Sequence, residues 1–322
     1  GFQLSPDGER VLYHSYVTGR YRLYSVPLDA SAAPVQLSPA AAASVSEFRF
    51  SPDSSHVAFR AGGLYGVPSD GSASAVLLSS TIQTAYERVV NFRLSANGVV
   101  VFLDGEPEDV YAVPVDGSAA PRRLSRATPA SSDIPQFELD PVGVRVVYAA
   151  NHGSAQLELF SAPLGQVTEP LLLTGSATLG FNLARPFEVD ADGARVVFTV
   201  DGRLCSVPVA GTAPAVAIDG TPRPGVALGQ FRILPGAQRV LFTSDRVVSG
   251  RDELHLTAIG GGAKPVRLSS SLVPGGDVLT SVSSMVQPTP HGFVYVADGE
   301  QNDVFELYLT TLTRSAPSAP PR

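Results

Sequence analysis

Two acidic loops are the first places in this sequence where chemistry could reside. Asp104-Gly-Glu-Pro-Glu-Asp109 packs four carboxylates into one loop, and Asp298-Gly-Glu-Gln-Asn-Asp303 packs three carboxylates with two amides. Calcium takes six to eight oxygen ligands, which makes Asp104, Glu106, Asp298 and Asp303 candidate ligands, although neither loop has the Asp-x-Asp-x-Asp-Gly spacing. Solvated loop charge is the ordinary meaning of such runs. No other cofactor is implied. His14, His56, His152, His255 and His291 are scattered along the chain with no metal spacing between any two. A lone cysteine, Cys205, excludes an internal disulfide framework and a Cys-based zinc site. There is no Gly-x-Ser-x-Gly elbow, and Gly260-Gly-Gly262 lacks the Lys-Ser/Thr of a phosphate loop, so no catalytic residue can be assigned.

The elements that must position these residues come from a repeat. The phrase Phe2-Gln-Leu-Ser-Pro-Asp-Gly8 returns at Phe48, Phe92, Phe137 and Phe187, with weaker copies at Phe231 and Val286. The spacing is about 45 residues, the length of a four-stranded propeller blade. Each unit continues with a β-rich run such as Arg10-Val-Leu-Tyr13 or Arg195-Val-Val-Phe198, then a run such as Leu23-Tyr-Ser-Val26, then Val35-Gln-Leu-Ser38 or its equivalent. Short β-branched and aromatic runs bounded by Gly, Pro and Asp are strands, and no helical periodicity persists. One such sheet cannot bury both its faces, but sheets stacked side by side can. The expected fold is all-β: a seven-bladed β-propeller over residues 1–310, with blades starting near 2, 48, 92, 137, 187, 231 and 286, and a Pro-rich tail over 311–322.

The Ser5-Pro6-Asp7-Gly8 phrase, followed by a β run and a Leu-Tyr-x-Val run, resembles the TolB-like or WD-like propeller repeat. The resemblance covers residues 2 to about 310. It implies a propeller fold shared by periplasmic interaction proteins, by the propeller of prolyl-oligopeptidase-type enzymes and by many surface proteins. The chain has no Trp and so lacks the Trp-Asp signature of WD repeats.

Strands A to B and C to D are expected to join by tight turns, leaving the B to C loops (including 14–22, 104–109 and 243–253) and the D to A segments to form a loop-rich face. Binding residues concentrate on such loops. Tyr and Arg are favoured anchors, which makes Tyr16, Arg20, Tyr21, Tyr86, Arg88, Arg246 and Arg251 the candidate binding residues. The second A-strand positions, Arg49, Arg93, Glu138, Glu188 and Arg232, are expected near the propeller axis, lining a channel or pairing with one another. Cys205 falls where other units place Tyr or Phe, so it is expected to be packed.

The seventh unit ends at Leu307-Tyr-Leu-Thr310 without a fourth strand; a strand preceding Gly1 in a longer protein is expected to complete it, the alternatives being a blade left with three strands or closure by a partner's strand. The chain begins at Gly1 and its only Met is Met285, which reads as a processed or excised piece. A net charge of −7 argues against a nucleic-acid partner. No run of 18 apolar residues exists, so no membrane span is expected. The functional expectation is a non-catalytic, exported interaction module, periplasmic, cell-surface or secreted, that binds a protein or peptide through its loop-rich face. The alternatives are a hydrolase or lyase with a channel-mouth site, with or without calcium, and the propeller domain of a larger surface protein or peptidase. The oligomeric state is left open.

Overall fold

Each repeat folds as an antiparallel sheet because its β-branched and aromatic runs are separated by residues that turn the chain. The computed structural model describes residues 1–79, 89–105, 108–126, 133–151, 157–166, 168–175, 187–234, 236, 238–279, 286–289 and 292–311. Sheet 1 holds β1 (Phe2–Leu4), β2 (Arg10–Val17), β3 (Arg20–Pro27) and β4 (Val35–Gln36); sheet 2 holds β5 (Glu47–Phe50), β6 (His56–Ala61), β7 (Gly63–Pro68) and β8 (Val76–Leu77). Sheet 3 holds β9 (Asn91–Leu94), β10 (Val99–Asp104), β11 (Asp109–Pro114) and β12 (Arg122–Arg123). Sheet 4 holds β13 (Gln136–Leu139), β14 (Arg145–Ala150), β15 (Glu158–Pro163) and β16 (Leu171–Leu172). Sheet 5 holds β17 (Phe187–Val189), β18 (Arg195–Val200), β19 (Arg203–Pro208) and β20 (Val216–Ala217); sheet 6 holds β21 (Leu228–Leu234), β22 (Arg239–Ser244), β23 (Glu253–Ala258) and β24 (Val266–Arg267). Sheet 7 has three strands among the described residues: β25 (Val286–Thr289), β26 (Gly292–Ala297) and β27 (Glu306–Thr311). Strands run in sequence order across every sheet, which is the blade order of a seven-bladed β-propeller.

The chain divides into two units: Gly1–Ala194 with Val209–Pro214, and Arg195–Pro208 with Ala215–Arg322. In the first unit the core lies between successive sheets. Leu12, Leu23, Val57 and Phe59 pack together, as do Leu64, Phe92, Val100 and Phe102, and then Val101, Phe137, Tyr148 and Phe160. In the second unit Val197, Leu204, Phe231 and Phe242 form one cluster, and Leu241, Leu254, Phe293 and Tyr295 another.

Two contacts recur from sheet to sheet. The second and third strands pair an aromatic with an aromatic, and the rings stack: Tyr13 on Tyr24, Phe59 on Tyr65, Phe102 on Tyr111, Tyr148 on Phe160 and Tyr295 on Tyr308, with centroids 5.2–5.6 Å apart. His255 takes the place of Tyr on Phe242, and Cys205 stands opposite Phe198. The fourth strand is short because its Leu-Ser end leaves the ladder to clamp the third strand. Leu37 N–H donates to the Leu23 carbonyl while the Ser38 hydroxyl accepts Leu23 N–H. The same backbone bond joins Leu78 to Leu64, Leu124 to Val110, Leu173 to Leu159, Ile218 to Leu204 and Leu268 to Leu254. The hydroxyls of Ser79, Ser125, Thr174 and Ser269 repeat the second bond.

The expected connections need correction. β2 and β3 meet through Thr18-Gly19, both at positive φ (47° and 84°), and β18 and β19 meet through Asp201-Gly202 at 49° and 69°. These are two-residue hairpins, so 14–22 is mostly strand and not loop. The third and fourth strands are joined by the longer stretches 28–34, 69–75, 115–121, 209–215 and 259–265. Three of these are shaped by an Asp that accepts the amide two residues on: Asp29 from Ser31, Asp70 from Ser72 and Asp116 from Ser118.

Cys205 is 7% exposed, and burial pushes its thiol up to about 11. The thiol is therefore expected to stay unlabelled by iodoacetamide at pH 8 in the native protein and to react at once in denaturant. Labelling of the native protein at the rate of the denatured one would contradict that packing.

Candidate recognition surface

The tight Thr18-Gly19 turn carries β2 and β3 past the length of the other hairpins in the first unit. Val17 pairs with Arg20, Tyr16 with Tyr21 and His14 with Leu23. Tyr16 and Tyr21 meet edge to face at 5.3 Å. His14 lies two pairs away, on the same face, and stacks on Tyr21 at 4.8 Å. The His14 ring also meets Phe48, from β5 of the next sheet, edge to face at 5.6 Å. The result is a row of four rings that runs from a half-buried Phe48 to Tyr16, which is 66% exposed; Tyr21 is 44% exposed. Burial first, and then the Gly1 ammonium 3.0 Å from its Nε2, lower the His14 pKa below the ordinary histidine value, so the imidazole is neutral at neutral pH.

The opposite face of the hairpin is held by arginine. Arg22 is 7% exposed and donates to the carbonyls of Pro39, Ala40 and Ala42. Arg20 donates to Ala41 and Ala42. The sequence pointed to Arg20 as a binding anchor; in the structure its guanidinium fastens segment 39–42, and Arg22, which sequence reasoning missed, does most of that work. A tyrosine pair braced this way presents large rings at low entropic cost.

The remaining candidates are placed as follows. Tyr86, Arg88, Glu106, His152 and His291 lie outside the described residues. Arg246 and Arg251 sit in the β22–β23 connection of the second unit: Arg246 donates to the Asp219 carbonyl at 2.6 Å and Arg251 to the Leu272 carbonyl at 3.2 Å. Arg49 pairs with Glu47 at 2.8 Å and lies over the Phe92 ring, and Arg93 lies over Phe137, each at 5.9 Å. Glu138 accepts the Val189 amide and the Gln136 side chain. These three A-strand residues thus knit the first strands of sheets 2, 3 and 4 to those of sheets 3, 4 and 5. Glu188 and Arg232 are half-buried on β17 and β21.

The acidic loops are not free charge. Asp104 and Asp109 face each other across β10 and β11, are 1% and 9% exposed, and Asp109 accepts the Ser125 hydroxyl with Arg123 at 3.7 Å. Asp298 is 2% exposed and accepts the Asp277 and Asp303 amides. Among the described residues no three His, Cys, Asp or Glu side chains come together in a group that could hold a metal.

Sequence reasoning also missed a polar cluster in the second unit. Arg203 makes a two-pronged pair with Asp219, and Arg267 pairs with Glu253 at 3.0 Å. Glu253 and His255 are each 1% exposed, and their facing atoms, Oε2 and Nε2, are 3.8 Å apart with no hydrogen-bond partner. The signal was present as departures from the repeat: Asp219 replaces the Ser or Thr of other sheets, and His255 replaces their Tyr or Phe. Beside this cluster a surface depression of about 570 Å³ is bordered by Gly220, Thr221, Arg246, Lys264 and Pro265.

Comparison with protein-family models and with curated proteins finds no match in either. Among solved structures the chain is similar to Porphyromonas gingivalis dipeptidyl peptidase 4, with TM-score 0.59 and 14% identity, covering 92% of this chain and 50% of that one. It is also similar to TolB from Acinetobacter baumannii, with TM-score 0.37 and 14% identity over 79% of this chain and 62% of that one. An oligogalacturonate lyase in complex with manganese gives TM-score 0.37 and 15% identity over 79% and 87%. At such identities the likeness is one of fold. The chain spans half the length of the dipeptidyl peptidase 4 chain.

Proposed function

We propose that this chain is a non-catalytic, exported propeller module that binds a protein or peptide through the end of sheets 1 and 2 bearing the tyrosine hairpin. The observation that carries the reading is the braced row Phe48, His14, Tyr21 and Tyr16, whose outer rings are exposed and whose backbone is pinned by Arg20 and Arg22. Rigid exposed tyrosines are what interface hot spots are made of. The net charge of −7 favours partners with basic or neutral contact surfaces.

The test is selection of binding peptides from a displayed library, followed by Tyr16→Ala and Tyr21→Ala. Each substitution is expected to weaken the selected peptide about tenfold while leaving the thermal midpoint unchanged. Equal binding by the double variant would remove this surface from the proposal.

A second reading, the propeller domain of a larger enzyme, draws on the coverage: a chain of this fold accounts for half of dipeptidyl peptidase 4. Turnover of dipeptidyl substrates by the full-length gene product, absent from the isolated chain, would favour it.

A further inference from the structure

Six of the seven sheets show what belongs beside a third strand. A short fourth strand pairs with it, and a Leu or Ile amide donates to the carbonyl of its first aliphatic residue: Leu37 to Leu23, Leu78 to Leu64, Leu124 to Val110, Leu173 to Leu159, Ile218 to Leu204 and Leu268 to Leu254. All but the Leu159 and Leu173 pair also share an apolar cluster. In sheet 7 the third strand, β27, has no fourth strand beside it among the described residues. Leu307 occupies the position of Leu23, and it is 75% exposed where Leu23 is fully buried. Leu309, two residues on, is 64% exposed.

The sequence of β27 also matches the fourth strand. Leu307-Tyr308-Leu309-Thr310 reads like Leu171-Leu172-Leu173-Thr174 and Val35-Gln36-Leu37-Ser38. In sheet 1 the register sets Ser25 opposite Val35 and Tyr24 opposite Gln36, and Leu37 donates to Leu23. Carried onto two copies of β27, this register sets Leu307 opposite Leu309 of the second copy, Tyr308 opposite Tyr308, and Leu309 opposite Leu307. It maps onto itself under a two-fold rotation, as an isologous contact requires. Glu306 then faces Thr310 of the second copy, so no like charges meet.

We propose that β27 pairs antiparallel with β27 of a second copy, joining two three-stranded sheets into one six-stranded sheet. Each Leu309 amide donates to the Leu307 carbonyl across the axis, and the four leucines form one apolar patch. Thr310 stands where Ser38 stands, with its hydroxyl placed to accept the Leu307 amide of the other copy. An exposed, apolar edge strand is a template for such pairing. The contact is smaller than a standard interface of ~1,600 Å², so a weak, concentration-dependent dimer is expected, with Kd on the order of 100 μM.

Sedimentation equilibrium from ~1 μM to ~1 mM spans that range. The wild-type protein should pass from monomer to dimer. Two double variants, Leu307→Asp with Leu309→Asp and Leu307→Lys with Leu309→Lys, should each remain monomeric at the highest concentration, and both should keep the wild-type thermal midpoint because these side chains are exposed. Mixed in equal amounts, they should recover association, since the register sets each aspartate against a lysine; misfolding would not be rescued in this way. Tyr308→Cys supplies a second readout: oxidation should give a covalent dimer through residue 308, with Cys205 buried and out of reach. A wild-type protein that stays monomeric throughout, charged variants that still dimerise, or a mixture that fails to associate would each overturn the proposal. So would slow hydrogen exchange of the Leu307 and Leu309 amides in the monomer, because another segment would then already hold the edge.

Discussion

Alanine at position 66 is expected to cost the first unit about 3 kcal/mol or more of stability, the range of severe overpacking. Gly66 lies in β7 opposite Ala58 and Val76, at the position that holds Ser25, Ala112, Ser161 and Ser206 in sheets 1, 3, 4 and 5. Its φ is not in the left-handed region, so the demand for glycine here is one of space. A Cβ would stand 1.8 Å from the Val115 carbonyl oxygen and 3.2 Å from Leu78 Cδ1. Both neighbours are buried, and the oxygen belongs to backbone, which cannot rotate away as the end of a side chain can. Relief requires sheets 2 and 3 to separate, which opens the contact that buries Leu64, Leu78, Val113 and Val115. Against this stands a gain of about 0.5–1 kcal/mol from removing a glycine from a strand, too small to compensate. Urea unfolding of Gly66→Ala beside Gly165→Ala, where a Cβ meets nothing within 4 Å, separates the close approach from a general effect of glycine removal. A loss below ~1 kcal/mol at position 66 would mean that the two sheets yield easily, contrary to close packing.

That close approach shows which parts of the molecule the sequence could convey. Strand runs such as Arg195-Val-Val-Phe198 were legible because alternation and branched side chains act locally, and that run opens β18. The repeat period conveyed seven sheets because each sheet is a local unit. Val35-Gln-Leu-Ser38 has the pattern of four residues of strand, and only two pair in the ladder. The Leu-Ser end instead bonds the third strand from the side, a tertiary choice invisible in propensity. Thr18-Gly19 was a hairpin signal overlooked because Thr at positive φ is uncommon. Asp104 and Asp109 read as solvated loop charge because nothing local reveals that the strands run on until those residues face each other under cover. Arg49 and Arg93 were recognised as special positions, but their stacking on Phe92 and Phe137 depends on which sheet lies next door.

The recognition surface was half legible for the same reason. Tyr16 and Tyr21 stood out by residue type. His14 and Phe48, which complete the row, belong to it only through a strand register and a neighbouring sheet. In the second unit, each of two residues that depart from the repeat meets a charged neighbour: Asp219 pairs with Arg203 in sheet 5, and His255 faces Glu253 in sheet 6. A repeat states what packing requires, so a departure at a buried position marks where some other demand has been met.

His255 makes that demand measurable, because stability is expected to fall by about 3 kcal/mol between pH 6.5 and pH 4 on its account alone. The imidazole is 1% exposed, stacked on Phe242 at 5.3 Å, and burial pulls its pKa down from 6.5 to about 4. A histidine depressed in the folded state binds its proton more readily when unfolded. The unfolded chain therefore takes up more protons between the two values, and stability is complete above 6.5 and lost as pH falls through the window. Two charges oppose protonation, since Arg246 and Arg267 both act to lower the pKa. The Ser244 backbone acts the other way; Nε2 is unpartnered, so that bond belongs to the other ring nitrogen. Glu253 is the one facing anion, but its Oε2 is 3.8 Å from Nε2, too long for a hydrogen bond, and Glu253 is already paired with Arg267. Burial therefore wins. His14, also lowered first by burial, acts in the same sense, and comparison with a His255 variant cancels its share. The carboxylates do not mimic the effect in this window. Asp7, Asp53 and Asp70 are held below their usual value, first by serine hydroxyls, and titrate at lower pH, while Asp252, raised first by burial, changes stability in the opposite sense. His255→Phe restores the ring that other sheets stack at this position, so it should keep the stability of the wild type at pH 7 and exceed it by about 3 kcal/mol at pH 4. Urea midpoints of the two proteins across the window read the difference directly. If the two curves fall in parallel from pH 6.5 to pH 4, the buried imidazole is not the group that couples this fold to acid.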